Sequence, residues 1–272
     1  MVDGLRTYVV TGAASGIGAA VTRVLESRGH RVLGIDLAGA DIDADLGSVE
    51  GRSGLADTIR ANGVQAIDAI IAVAGVSAVS SLTVRVNYFG AKATVEMLRP
   101  LLRPSSPRAV VVALFSTLQE VDDDLVAALE AEDEGRACEI ADSLVDAGRG
   151  HLIYASTKRA IAEWIRRASI EPEWAGAGIP LNAVGPGVVV TPMTAGYLST
   201  DDGRAAMLRG VPMPLSGPAR PESVAYLLAW LTSEENTHVT GQAIFIDGGA
   251  DTTVRGPKVF DGARPIEWGL PR

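Results

Sequence analysis

The sequence has one cysteine, three histidines and no apolar run long enough to cross a bilayer. The single thiol, Cys138, excludes an internal disulfide and indicates a reducing compartment. Because the histidines lie far apart, we expect no cluster of metal ligands. The N-terminal region contains Asp3 and Arg6, and the apolar segment after it is short, which predicts no signal peptide. We therefore expect a cytoplasmic protein with no bound metal and no membrane partner.

Basic residues are scarce in one part of the chain, and the net negative charge of the protein is concentrated there. The sequence carries 24 Lys and Arg against 33 Asp and Glu, a net charge of -9. Between residues 119 and 150 there are eleven acids and two bases, which accounts for the whole excess. A negative charge of this size argues against nucleic acid as a partner. The 272 residues, 47% hydrophobic, suffice for one large α/β domain or two small ones.

Glycine is concentrated near the start of the chain, where a short apolar segment leads into Gly12, Gly16 and Gly18. Apolar residues from Ile17 to Leu25 then recur at helical spacing. A strand, a glycine-rich turn and a helix in this order aim free backbone N–H groups at a phosphate. Glycine is needed because a Cβ would block the pyrophosphate. The alternative is a turn that starts a helix and binds no ligand.

A second predicted strand begins at Arg31 and ends in Asp36, about twenty residues beyond the glycine turn. A carboxylate in this place accepts hydrogen bonds from the adenosine ribose of a dinucleotide and repels a 2′-phosphate. Neither Ala14 nor the two residues after Asp36 is basic. The pattern therefore predicts NAD rather than NADP, with a surface carboxylate at a strand end as the alternative.

Two continuous apolar segments, residues 69–73 and 109–115, predict strands that are buried on both faces of a parallel sheet. Ser116 directly follows the second segment, and the carboxyl ends of strands carry the chemistry in doubly wound sheets. Tyr154 and Lys158 are four residues apart, so on a helix they share one face. These three side chains are the candidate catalytic groups.

In sequence order, Thr11-Gly12-x3-Gly16-Ile17-Gly18, Asp36, Asn87, Ser116 and Tyr154-x3-Lys158 resemble the short-chain dehydrogenase/reductase family. The resemblance covers Tyr8 to about Asp251. It implies an α/β fold, a single-domain doubly wound (Rossmann) parallel sheet flanked by helices. We expect this domain to span residues 1–255, followed by a tail at 256–272. It also implies an NAD-dependent oxidoreductase, a small-molecule alcohol or ketone as substrate, and a homodimer or homotetramer.

The same resemblance implies roles for further residues. Asn87 would hold a water that relays protons, or else be a structural asparagine. Thr191 would bond the carboxamide of the nicotinamide. Asp45 and Leu46 would bind the adenine, although Asp45 could equally belong to a solvated loop. The implied cofactor-binding residues are Gly12, Ser15, Gly16, Ile17, Gly18, Asp36, Asp45, Leu46, Ala74, Gly75, Tyr154, Lys158, Pro186, Gly187 and Thr191.

The sequence departs from the family after the apolar segment at residues 69–73. The family usually has Asn-Asn-Ala-Gly there, whereas this chain has Ala72-Val73-Ala74-Gly75. The usual contacts of the two asparagine side chains are therefore not expected. The close backbone approach that an Ala-Gly pair permits is retained.

An acidic segment, residues 119–150, separates the last apolar strand from the predicted catalytic helix by more residues than in most of the family. Apolar residues from Ala137 to Val145 repeat at helical spacing, and Asp122 is suited to cap an earlier helix. The chain most resembles the family's subgroup of bacterial 3α-hydroxysteroid dehydrogenase/carbonyl reductases. Members of this subgroup have such a helical insertion, which lies at their subunit interface. The alternative is a solvated acidic flap. Residues 193–214, rich in Gly and Met, predict a mobile loop over the substrate.

The expected chemistry is proton transfer by Tyr154. A free phenol has a pKa near 10, and we expect the ammonium of Lys158 to lower it. Ser116 would donate a hydrogen bond to the carbonyl oxygen of the substrate. The expected reaction is the interconversion of a secondary alcohol and a ketone, of the hydroxysteroid dehydrogenase/carbonyl reductase type. The alternatives are an alicyclic or terpenoid alcohol as substrate, or a non-catalytic NAD-binding regulatory or assembly protein.

Overall fold

The computed structural model describes residues 4–104, 108–112 and 120–260. Its strands are β1 (Thr7–Thr11), β2 (Arg31–Asp36), β3 (Ile42–Asp43), β4 (Ala69–Ala72), β5 (Arg108–Val112), β6 (Leu181–Pro186) and β7 (Ala243–Ile246). They form one sheet in the order β3-β2-β1-β4-β5-β6-β7, and every neighbouring pair is parallel. The order reverses direction between β1 and β4, which is where ligands bind in doubly wound sheets. The predicted fold class is confirmed.

Helices cover both faces of the sheet. They are α1 (Gly16–Ser27), α2 (Val49–Ser53), α3 (Leu55–Ala61), α4 (Ser81–Val84), α5 (Ala91–Leu98), α6 (Asp123–Glu130), α7 (Glu134–Asp146), α8 (His151–Ala168), α9 (Pro192–Leu198), α10 (Asp201–Gly210), α11 (Pro221–Leu231) and α12 (Ala250–Arg255). A π-helix, Arg85–Gly90, joins α4 to α5. No helix in the described part of the chain is long and apolar enough to cross a membrane.

The central strands divide the apolar core into two layers. Along β1, Val9 packs into the layer under α5 and α8, whereas Tyr8 and Val10 pack into the layer under α1 and α11. In β4, Ile70 and Ile71 point to opposite layers in the same way. Successive strand residues face opposite sides of a sheet, so a strand covered on both faces must be apolar throughout.

Three segments differ in detail from what the sequence predicts. Leu55 and Ile59 fall on one helical face, which predicts one helix over residues 49–61, but the segment breaks into α2 and α3 at Gly54. The sequence of residues 81–102 predicts one long helix broken near Pro100, but the segment contains the π-helix and ends in a 3₁₀ turn at Arg99–Leu101, which contains Pro100. Residues 193–214 were expected to be a loop, but most of them form α9 and α10. Helix α9 starts at Pro192, and α10 is capped by Thr200, whose hydroxyl accepts the Gly203 N–H at 3.1 Å.

The acidic insertion is a packed part of the domain. Apolar residues of α6 and α7 are buried against α8 and α4, and the turn between them carries glutamates at alternate positions. Each glutamate pairs with a cation from another helix: Glu130 with Arg167 at 2.7 Å, Glu132 with Lys92 at 3.1 Å and Glu134 with Arg52 at 2.6 Å. The insertion is therefore fixed to the domain by both apolar contact and charge, which a freely solvated flap would not be.

Candidate functional site

The turn between β1 and α1 requires glycine for two separate reasons. Gly12 and Gly16 have positive φ angles of 71° and 52°, a region that L side chains avoid. Gly18 needs space instead, since a Cβ there would overlap the carbonyl oxygen of Gly12. A Cβ on Gly12 would also lie 2.9 Å from the backbone nitrogen of Ala74. The turn can therefore lie tightly against the chain that follows β4.

The N-terminus of α1 faces the open side of this turn. Ser15 is the N-cap residue, and its side chain makes no capping hydrogen bond. The first-turn N–H groups of a helix lack partners within the helix, so they are available to an anionic ligand. Together with the absent Cβ atoms, this geometry fits a pyrophosphate.

Asp36 ends β2 beside the glycine turn. Its Oδ2 accepts the Ala14 N–H at 3.0 Å and its Oδ1 accepts the Leu37 N–H at 2.7 Å. These two bonds fix the carboxylate while leaving lone pairs on both oxygens for a diol. The position fits a ribose with free 2′- and 3′-hydroxyls.

Thr11, the last residue of β1, was not predicted to have a site role. Its hydroxyl oxygen accepts the N–H groups of Val73 and Ala74, both at 3.2 Å. These bonds tie the end of β1 to the segment after β4, where the usual asparagines of the family are missing. The threonine directly before the glycine turn is the sequence feature that could have indicated this role.

Asn87 lies in the π-helix and is fully buried. Its Oδ1 accepts the Val76 N–H and its Nδ2 donates to the Val76 carbonyl, both at 2.8 Å. The side-chain amide is thus committed to holding the chain after β4, as a structural asparagine would be. A role in proton relay stays a prediction.

Tyr154 and Lys158 lie on α8, which begins at His151 and therefore includes both residues. Lys158 is 2% exposed, and its Nζ lies 5.7 Å from the centroid of the Tyr154 ring. A Cβ on Gly75 would lie 3.4 Å from that Nζ and 3.2 Å from Asn87 Oδ1. Lys158 Nζ and Asn87 Oδ1 thus both lie beside Gly75.

The acidity of the pair differs from the sequence-based expectation. Burial raises the pKa of Tyr154 above its usual value, and burial lowers the pKa of Lys158 to about 8. We expected the ammonium to lower the pKa of the phenol. In the structure, removal of the phenol from water is what shifts this pKa, and the shift is upward. Tyr154 therefore holds its proton at neutral pH.

One cavity of about 590 Å³ connects the glycine turn to Tyr154. The predicted residues that line it are Gly12, Ser15, Gly16, Ile17, Gly18, Asp36, Asp45, Leu46, Ala74, Gly75, Tyr154, Pro186, Gly187 and Thr191. Ser116 lies outside the described residues. The cavity thus collects side chains from the carboxyl ends of β1, β2, β4 and β6, as the doubly wound topology requires.

The end of the cavity beyond Tyr154 is mainly apolar. Its walls come from the chain after β4, including Val76 and Val79, and from α9 and α10, including Met193 and Met207. His151, at the start of α8, also lines this end. A substrate that fits here has a largely apolar body.

Two of the implied cofactor contacts have local structural roles as well. Asp45 Oδ1 accepts the Gly47 N–H at 2.8 Å, which orders the loop at this end of the cavity. Thr191 is the N-cap residue of α9, and its methyl group would lie 3.3 Å from a Cβ on Gly16. Among the described residues, no group of three or more His, Cys, Asp or Glu side chains could hold a metal.

Comparison with known proteins agrees with this geometry. A family model described as enoyl-(acyl carrier protein) reductase matches residues 12–251. The 3-alpha-hydroxysteroid dehydrogenase/carbonyl reductase of Comamonas testosteroni is 34% identical over 253 residues, which are 91% of this chain and 97% of the relative. The cis-4-hydroxycyclohexanecarboxylate dehydrogenase of Sinomonas cyclohexanicum is 31% identical over 255 residues, 90% of this chain and 96% of the relative.

A solved structure is similar over the same range. The 3-alpha-hydroxysteroid dehydrogenase from Pseudomonas sp. B-0831, complexed with NADH, matches with a TM-score of 0.81 and 35% identity. The match covers 92% of this chain and 99% of that one. The folds of the two proteins therefore correspond over nearly the whole chain.

Proposed function

This chain belongs to the short-chain dehydrogenase/reductase family, and we propose that it interconverts a secondary alcohol and a ketone with NAD(H). The family acts on CH–OH groups, so the chain is an oxidoreductase. The observation that carries the specific proposal is the cavity shared by the glycine turn, Asp36 and Tyr154. It joins a dinucleotide site to a proton donor.

The described residues fit the dinucleotide in three respects. Gly12 and Gly18 allow the tight turn before α1, the N-terminus of α1 offers N–H groups to a pyrophosphate, and Asp36 is available to the ribose. The carboxylate of Asp36 favours NAD over NADP because it would repel a 2′-phosphate. When bound, the cofactor supplies or accepts the hydride. The protein's task is to orient the reactants and to move one proton.

Tyr154 is the proposed group that moves this proton. Its raised pKa keeps the hydroxyl protonated at neutral pH, so it can donate to a ketone oxygen that gains negative charge. Lys158, still mainly charged at neutral pH, stabilises the phenolate that remains. Ser116 is proposed to donate a second hydrogen bond to the same oxygen.

The two directions of the reaction should respond oppositely to pH. Alcohol oxidation needs the phenolate beside a charged Lys158, a state whose fraction rises tenfold per pH unit until Lys158 loses its own proton. Oxidation should therefore increase up to about pH 8 and level off above it. Ketone reduction needs the protonated phenol and a charged Lys158, so it should be steady below pH 7 and fall above about 8. Initial rates of NADH formation and consumption, at saturating cofactor and fixed ionic strength, test this; a pH-independent oxidation rate would contradict it.

We propose that the substrate is a hydroxysteroid, or a carbonyl compound with a similarly large apolar ring system. Support comes from the apolar cavity end and from the two hydroxysteroid dehydrogenase relatives. An alicyclic alcohol is the second candidate, because another relative is a dehydrogenase of a hydroxycyclohexanecarboxylate. A terpenoid alcohol, the further alternative from the sequence, would fit the same apolar end of the cavity.

A screen of NADH formation over steroid, terpenoid and small alicyclic secondary alcohols tests the proposal. We expect turnover of at least one class, and no turnover of primary alcohols that lack an apolar ring. NADH binding without turnover of any alcohol or ketone in the screen would contradict the proposed substrate class. The homodimeric or homotetrameric state and the cytoplasmic location stay predictions.

A further inference from the structure

His151 is the one basic side chain that lines the described cavity. Three carboxylates line the same cavity. Asp36 and Asp45 lie at its nucleotide end, and the carboxylate of Asp247 accepts the N–H groups of Gly249 at 2.9 Å and Asp251 at 2.7 Å. The apolar end of the cavity thus contains one basic group, His151, besides the phenols of Tyr154 and Tyr197.

The position of His151 relates it directly to the reacting carbon of a substrate. It lies three residues before Tyr154 on α8, so the two residues share a helix face with Cβ atoms about 5–6 Å apart. The imidazole is exposed and has no hydrogen-bond partner within the described parts of the chain. It is therefore free to bind a substituent of a molecule whose carbonyl oxygen contacts Tyr154.

We propose that His151 binds an anionic substituent, a carboxylate, carried by a ring ketone or ring alcohol. The separation of one helical turn between His151 and Tyr154 is comparable to the width of a six-membered ring. A ring in the apolar end of the cavity can therefore present its carbonyl to Tyr154 and its carboxylate to His151. This inference rests on the proposed function and specifies which substrates of that class the site prefers.

The nearby cation outside the cavity provides a matched control. Arg149 lies two residues before His151, does not line the cavity, and pairs with Asp122 at 3.7 Å. If a carboxylate is attracted only by the general positive charge at the start of α8, removal of Arg149 should matter as much as removal of His151. If it binds His151 directly, only the histidine should matter.

The test compares 4-oxocyclohexanecarboxylate with its methyl ester as substrates for reduction by the full chain with NADH. The ester has nearly the same shape and no charge. In the native protein we expect a lower KM for the carboxylate. In His151→Leu the KM ratio of ester to carboxylate should fall roughly three- to tenfold, the range for one charge-assisted hydrogen bond at an exposed site. Arg149→Gln should keep the native ratio.

Each result decides between the possibilities. An unchanged ratio in His151→Leu, or an equal fall in Arg149→Gln, would overturn the proposal for His151 while leaving the oxidoreductase function intact. Failure of the native protein to reduce either ketone, or any compound of the alcohol screen, would instead overturn the proposed function, and the inference with it. Melting curves of both variants confirm that the exposed substitutions leave the fold unchanged.

Discussion

Replacing Tyr154 with Phe should lower kcat by roughly 10²- to 10⁴-fold, the usual contribution of a positioned acid or base. The substitution removes one hydroxyl and keeps the ring, which packs beside the buried Lys158. The cofactor contacts of the glycine turn and of Asp36 are not altered. The dissociation constant of NADH should therefore stay within about twofold, because the lost group acts in the proton-transfer step.

Stopped-flow or steady-state rates, combined with NADH fluorescence titration, measure the two quantities separately. The matched control is Tyr226→Phe, which deletes a phenol hydroxyl from the exposed face of α11, away from the cavity. Native rates in Tyr154→Phe would remove this residue from the mechanism. An equal loss of NADH binding would show that Tyr154 acts on cofactor binding rather than on the proton.

The sequence was sufficient to predict the sheet and the tight glycine turn between β1 and α1. Residues 69–73 are apolar without interruption, and only a strand covered on both faces explains such a segment in an α/β chain. The positions of Gly12 and Gly18 follow from close approach, which no other residue permits. These features are local, so neighbouring residues are enough to reveal them.

Other features depend on contacts between distant segments and could not be predicted. Nothing near Asn87 indicates a π-helix, because the hydrogen bonds to Val76 that hold this residue come from the chain after β4. Similarly, Gly196 and Gly203 lower the helix propensity of the segment over the substrate end, yet it is helical because both helices have favourable N-termini.

The direction in which the pKa of Tyr154 shifts also could not be predicted from the sequence. Its spacing from Lys158 predicted a cation nearby, and the structure has one. The degree of burial of each group, which sequence spacing does not reveal, decides the direction of the shift. A neighbouring charge and the loss of water act oppositely on a phenol, and here the loss of water sets the direction.

Replacing Asp36 with Ala should weaken NAD binding by about 10- to 100-fold and at the same time improve NADP binding. The carboxylate is the group available to the ribose hydroxyls, and charge-assisted bonds of this kind contribute about 1.5–3 kcal/mol. Its removal also ends the repulsion of a 2′-phosphate, so the ratio of the two dissociation constants should change by more than either constant. Fluorescence titration with NADH and NADPH measures both.

Asp43→Ala is the control for this substitution. It distinguishes a direct contact with the ribose from the general negative charge at this edge of the sheet. It lies opposite Asp36 in the register between β2 and β3, carries the same charge and does not line the cavity. If the preference for NAD comes from the negative field at this edge of the sheet, Asp43→Ala should shift the cofactor ratio nearly as much as Asp36→Ala. If it comes from direct contact with the ribose, the ratio should move only in Asp36→Ala. If neither variant changes the ratio of the NADH and NADPH dissociation constants, residues other than Asp36 and Asp43 determine the cofactor preference.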